Sequence, residues 1–233
     1  AARWLDGLVC QSHRVHAGNL NSDHSYKPAF VLAFFMMTTA HHTPSDAHLI
    51  EHTLDHVELF KGHFLHAFRD RVRLPSGASA TREYVIHPGA VMVIAILDDG
   101  RLVMERQYRY PVKQVMIEFP AGKLDPGEDR WICAQRELLE ETGYRAKEWA
   151  HAGVLHPVIS YSTEFIDIWF ARGLTLGERQ LDEGEFLDVF TASVDELLAW
   201  SRDGQLTDAK TLTGLLWLQN HLSGAWPLTW QSV

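Results

Sequence analysis

A chain of 233 residues, 46% hydrophobic and 22% charged, carries enough apolar material for one medium domain, or for a domain with a small appendage. Its formal net charge of -9 argues against general nucleic-acid binding, because the phosphate backbone would repel it. Two cysteines, Cys10 and Cys133, exclude a disulfide framework or a cysteine-rich zinc site, and suit free thiols in a reducing cytoplasm.

Residues 1–36 mix polar residues, histidines and a short apolar stretch without helical or strand period. They read as an upstream extension, with Met36 or Met37 as a natural start and a polar lead to Ala47, so that 1–47 is expected to be poorly ordered. The apolar run 29–37 is far shorter than the ~20 residues of a membrane helix, and lies too deep for a signal peptide. Segments 56–60, 63–74 and 82–87 are short strands parted by Lys61-Gly62 and Pro75-Ser76-Gly77. They predict a small antiparallel sheet, an N-terminal β domain over 48–87.

Residues 90–97 are continuously apolar, as in a buried strand. Asp98-Asp99-Gly100 signals a hairpin turn into a strand at 101–108. A strand at 115–119 ends at Pro120-Ala121-Gly122. Pro126-Gly127 makes a turn, Glu128-Asp129 places acid at a helix start, and the helix runs to about Thr142, with Gly143 as its cap. Strands at 149–155, 164–171 and 186–190 follow, then helices at 194–202 and 209–222 with apolar residues three and four apart. This order predicts an α+β fold, with 88–233 as the main domain. The tryptophans and the 215–222 stripe suit core and dimer packing, and the histidines between His41 and His66 suit the surface.

The chemistry concentrates at 122–144. Glu137 and Glu141 stand four apart on the predicted helix, so they share a face, with Glu140 beside them. Three crowded carboxylates repel one another and cost stability unless cations fill the site. Hard oxygen donors select Mg²⁺ or Mn²⁺, which also bind phosphates. Arg136 precedes Glu140 by four residues and can pair with it. Gly122 and Gly127 permit a tight loop against the helix. A glutamate run is ordinarily a solvated face. Here, though, glycine, glutamate and arginine fill every specified position of a roughly 23-residue pattern except the last.

That segment resembles the Nudix box, G-x5-E-x7-R-E-U-x-E-E-x-G-U, with Tyr144 in the place of the final bulky aliphatic residue. The resemblance implies hydrolysis of a nucleoside diphosphate linked to another group, on an α/β/α sandwich around a mixed sheet. Arg106-Gln107-Tyr108-Arg109, Glu118-Phe119-Pro120-Ala121-Gly122, the run 82–90 and the run 204–211 are similar to the ADP-ribose pyrophosphatase branch, so the likeness covers roughly 54–222. It implies Mg²⁺-dependent cleavage of ADP-ribose to AMP and ribose 5-phosphate.

By the same resemblance, Glu137, Glu141 and the Ala121 carbonyl hold metal, with Glu140 assisting, and Arg136, Glu140 and Glu141 count as catalytic residues. Arg109 and Glu118 contact substrate. The N-terminal strands reach across a homodimer, which makes Phe64 a candidate to stack on adenine and Arg82 and Glu83 candidates to contact it or its ribose. In the loop Asp182-Glu183-Gly184-Glu185, Glu183 is the candidate general base and Glu185 a further metal contact, assignments that can be exchanged. The branch carries Ser-Pro-Gly and then an acid shortly after the box. Here Glu164 is in place, but Ile159 and Ser160 stand where proline and glycine are expected. That departure leaves room for another nucleotide sugar, such as GDP-mannose. A sensor that binds without hydrolysis would have lost box glutamates or gained a DNA-binding domain, and neither is seen.

Overall fold

The computed structural model describes residues 46–233. The expected start at Met36 or Met37 lies outside these residues, as does the extension, apart from residues 46 and 47 in a short 3-10 turn, Asp46–His48. Strands β1 (His52–Lys61), β2 (His66–Arg73) and β3 (Ser79–Ile86) form an antiparallel sheet in that order. There follow β4 (Ala90–Ala95), β5 (Leu102–Arg109), β6 (Gln114–Glu118), β7 (Ala121–Lys123), α1 (Arg130–Thr142), β8 (Tyr144–Leu155), β9 (Ile166–Leu176), β10 (Leu187–Ala192), α2 (Val194–Arg202), α3 (Ala209–Leu222) and β11 (Gln231–Ser232). One sheet has the order β11-β8-β9-β4-β7 and another β10-β5-β6. Strand β4 runs parallel to β9 and antiparallel to β7, so the larger sheet is mixed.

Strand β4 explains the layering. All six of its residues are buried, and successive side chains point to opposite faces. Met92 and Ile94 join Phe119, Phe170, Leu197, Leu215 and Leu218 in a core beneath α2 and α3. Val91 and Val93 join Cys133, Ala134, Leu138 and Trp149 in a second core beneath α1. A strand buried on both faces needs no alternation, which is why 90–95 is uniformly apolar. The fold is α+β, with helices on both faces of a mixed sheet and a small antiparallel sheet before it.

The N-terminal sheet is hydrogen-bonded to the rest of the chain. Residues 46–233 belong to one compact unit, and the backbone N–H of Val85 donates to the carbonyl of Tyr161 at 2.9 Å. Strand β1 begins at His52 rather than 56, β2 at His66 rather than 63, and β8 at Tyr144 rather than 149. The short strands β7 and β11 fall where a loop and a tail were expected. No helix among the described residues is long and apolar enough to cross a membrane.

Candidate metal and substrate site

Helix α1 is built to present acid inward. Asp129 caps its N-terminus by accepting from the backbone N–H groups of Trp131 and Ile132. Gly143 ends it in a left-handed conformation, φ 77°, with its N–H donating to the Leu139 carbonyl. The buried row is Cys133, Glu137 and Glu141, residues four apart. The two glutamates are therefore 8% and 3% exposed, on the core side of the helix rather than on its solvated side.

They face a cavity of about 820 Å³. Helix α1 contributes Glu137, Glu140 and Glu141, the β7 segment Ala121 and Gly122, and β5 Gln107 and Arg109. Glu118, Asp208 and Lys210 form another wall, and Asp182 and Glu185 reach in from the loop before β10. At Gly122 a Cβ would lie 1.9 Å from the Glu137 carboxyl carbon, so any larger residue displaces that carboxyl. Gly127 is required by conformation, with φ +79°.

Arg136 organises the helix from outside the cavity lining. Its guanidinium donates to both oxygens of Glu128 at 2.8 Å, to Glu137 at 2.9 Å and to Glu140 at 2.9 Å. The expected Arg136–Glu140 pair is present, but Glu128 serves as the clamp on Arg136 more than as a helix-dipole partner. Arg136, through its hydrogen bonds, holds the Glu128 carboxyl down to about 2. Burial, with Glu140 and Glu185 adding and Arg136 opposing, pushes Glu137 up to about 7. Glu141 is raised by burial and by the charges of Glu105, Glu137 and Glu185, while the backbone N–H of Ala121 donates to it at 3.0 Å.

Among the described residues, no three His, Cys, Asp or Glu side chains are gathered closely enough to enclose a metal ion. The donor set nonetheless fits a hard divalent cation. It is all oxygen, and burial together with neighbouring carboxylates raises Glu137 and Glu141, a cost that a cation would relieve. The helix approaches the loop so closely at Gly122 that Glu137 sits against backbone.

Opposite the glutamates, Arg109 grips Glu118 with two bonds of 2.7 Å. Lys210 also bonds Glu118, and reaches Asp208 at 3.0 Å. Burial works to raise the Glu118 pKa, but these two cations outweigh it and lower it. Asp208 in turn caps α3 through Thr211, whose hydroxyl accepts from the Phe119 N–H. A further wall holds Phe64, packed edge-on against His87 at 5.4 Å between ring centres, with Lys123 Nζ 4.8 Å from its ring centre. Burial lowers the His87 pKa against the pull of Glu164, 3.8 Å away, with Lys123 adding to the effect.

Three expected site residues lie elsewhere in this chain. Arg82 pairs with Glu51 and Glu83 with Arg69, both at the surface of the N-terminal sheet and outside the cavity lining. Glu183 is exposed, and of the two loop glutamates only Glu185 lines the cavity, held by Gln107 at 3.2 Å. Sequence reasoning missed Lys210, His87 and the buried Glu105 of β5. Glu105 carried a faint signal, an acid on the same strand face as Gln107 and Arg109. Lys210 carried none, since its partner Glu118 is 92 residues away.

Residues 86–213 match the family model described as NUDIX domain. The chain is 39% identical over 173 residues to "Methanol dehydrogenase activator" of Bacillus methanolicus, covering 72% of this chain and 92% of that protein. It is 36% identical over 173 residues to "ADP-ribose pyrophosphatase" of Bacillus subtilis (strain 168), covering 73% and 94%. Among solved structures, "Crystal structure of ADP compounds hydrolase" superposes with a TM-score of 0.69 at 24% identity, over 76% of this chain and 96% of that one, a likeness of fold.

Proposed function

Because this chain belongs to the Nudix family, we propose that its cavity hydrolyses the pyrophosphate of ADP-ribose to AMP and ribose 5-phosphate with Mg²⁺ or Mn²⁺. The observation that carries the reading is the inward row of box glutamates facing Arg109 and Lys210 across one cavity. The relative of 36% identity named as an ADP-ribose pyrophosphatase supports the choice of substrate.

Glu137, Glu141 and the Ala121 carbonyl would hold the cations, with Glu140 beside them and Glu185 reaching in from its loop. Bound divalent cations supply charge neutralisation on the pyrophosphate and a more acidic water. The protein's own residues do the positioning. Arg136 orients the helix carboxylates through its bonds to Glu137 and Glu140. Arg109 and Lys210 set positive charge where substrate phosphate or ribose enters, balanced by Glu118. Phe64 offers an exposed ring at the cavity wall for a nucleobase. Glu183 remains the proposed general base, two residues from Glu185 in the same loop.

A homodimer belongs to the same proposal. Strand β1 is exposed along its whole length and displays Leu54, Val57, Leu59 and Phe60, a surface that a second copy would cover. Arg82 and Glu83 on the same sheet would then be offered to the partner's cavity. The 48–87 segment acts as the dimerisation element, 88–233 as the hydrolase domain, and the enzyme works in the cytoplasm.

The test is product analysis with ADP-ribose, GDP-mannose and other nucleotide sugars, with and without Mg²⁺. AMP and ribose 5-phosphate from ADP-ribose, only with metal, are expected. Faster turnover of GDP-mannose would move the assignment to another nucleotide sugar. Binding without any turnover would refute catalysis.

A further inference from the structure

Residues Val103, Glu105, Gln107 and Arg109 alternate onto one face of β5. Gln107 and Arg109 line the cavity, and Glu105 continues the row on the α1 side of the strand, behind the cavity lining, where Val103 packs with the α1 residues Cys133, Ala134 and Leu138. There it is 2% exposed and within hydrogen-bonding reach of Glu141. Its cross-strand partner on β6 is Glu118, a like charge directly opposite in the register. The nearby cation cannot serve both, because Lys210 is bonded to Glu118 and Asp208, and Arg109 to Glu118. Glu105 Oε1 has no hydrogen-bond partner. A buried carboxylate whose neighbours are other carboxyls and whose one oxygen is unpaired is unfavourable, and a strand position one step from Val103 would ordinarily hold an apolar side chain.

We infer that Glu105 is a further carboxylate of the metal site, binding from the β5 side the same divalent cation that Glu141 holds from α1. The inference rests on the reading of this cavity as a metal site. It gives the site an acid that neither the helix motif nor the loop supplies. The alternative neutraliser of Glu105 is a proton, and glutamine mimics that state: Glu105→Gln keeps the shape and can donate an amide hydrogen to Glu141.

The full-length chain, stripped of metal, is titrated with Mn²⁺ in the absence of substrate, and free Mn²⁺ is read by electron paramagnetic resonance. Wild type should bind Mn²⁺, and E105Q should bind it about tenfold or more weakly. Thermal unfolding in chelator should show E105Q folded. Glu105→Met, which removes the charge at similar volume, should lose Mn²⁺ affinity in the same way. Wild-type affinity, or tighter binding, in either folded variant overturns the inference, since Glu105 would then add only repulsion or shape. That result would leave the metal-site reading intact. A wild-type chain that binds no Mn²⁺ overturns both.

Discussion

Alanine in place of Gly122 adds one methyl group where no methyl group fits. Its carbon would stand 1.9 Å from the Glu137 carboxyl carbon and 2.0 Å and 2.2 Å from its oxygens. Non-bonded carbons rest at ~3.5 Å, so Glu137 must retreat by roughly 1.6 Å. The side chain is flexible enough to swing away, so the fold should survive with a change of about 1 kcal/mol or less. The Glu137 carboxylate, proposed to hold metal, does not stay in place, and a displacement of about 1 Å in a catalytic constellation costs on the order of 100-fold in rate. Turnover of ADP-ribose under saturating Mg²⁺, alongside thermal unfolding in chelator, measures both. Gly127→Ala is the control: nothing lies within 4 Å of its Cβ, but its φ of +79° makes alanine strained, so it should lose about 1 kcal/mol of stability and keep its metal. A G122A protein with more than a tenth of wild-type activity would refute the placement of Glu137.

The metal-free chain should lose stability as pH rises. Burial pushes Glu137 up to about 7 and Glu105 up to about 8, above the ordinary value of 4.5. The native state thus holds more protons than the unfolded chain between those values. Stability is fully present below about pH 4.5 and falls as pH climbs toward 8, by on the order of 3 kcal/mol for Glu137 alone. Melting curves in chelator should show that decline, and Mg²⁺ should flatten it; a flat curve in chelator would contradict the crowding of the carboxylates. Arg136→Lys should cost about 2 kcal/mol and at least tenfold in rate, because a point charge cannot bridge Glu128, Glu137 and Glu140 together; an unchanged denaturation midpoint and rate would show that the fork is dispensable. Glu185→Gln should weaken Mn²⁺ binding, while Glu183→Gln should lower the rate with metal affinity intact. The reverse pattern in calorimetry and kinetics would exchange the two assignments.

The helix glutamates were legible because both ends of the reasoning are local. A four-residue spacing puts Glu137 and Glu141 on one face whatever the rest of the chain does. The apolar run of β4 likewise announced a strand buried on both sides. Glu105 was hidden because its meaning depends on sheet register and on α1 packing above it. A lone acid in β5 looks like a solvated strand residue until Glu118 is found opposite. Lys210 was hidden for the same reason, through its long-range bond to Glu118. Strand β7 is three residues long and follows a proline, so it carries no period to detect. Arg82 and Glu83 illustrate the converse: a motif likeness supplied roles that a single chain leaves in surface ion pairs.

The most direct measurement is the rate of AMP release from ADP-ribose by the wild-type chain and by Glu141→Gln, each with and without Mg²⁺. Wild type should release AMP and ribose 5-phosphate only with the cation. The variant, folded by circular dichroism, should be slower by several orders of magnitude. Substantial AMP release by E141Q, or none by wild type with Mg²⁺ present, would contradict hydrolysis at this cavity.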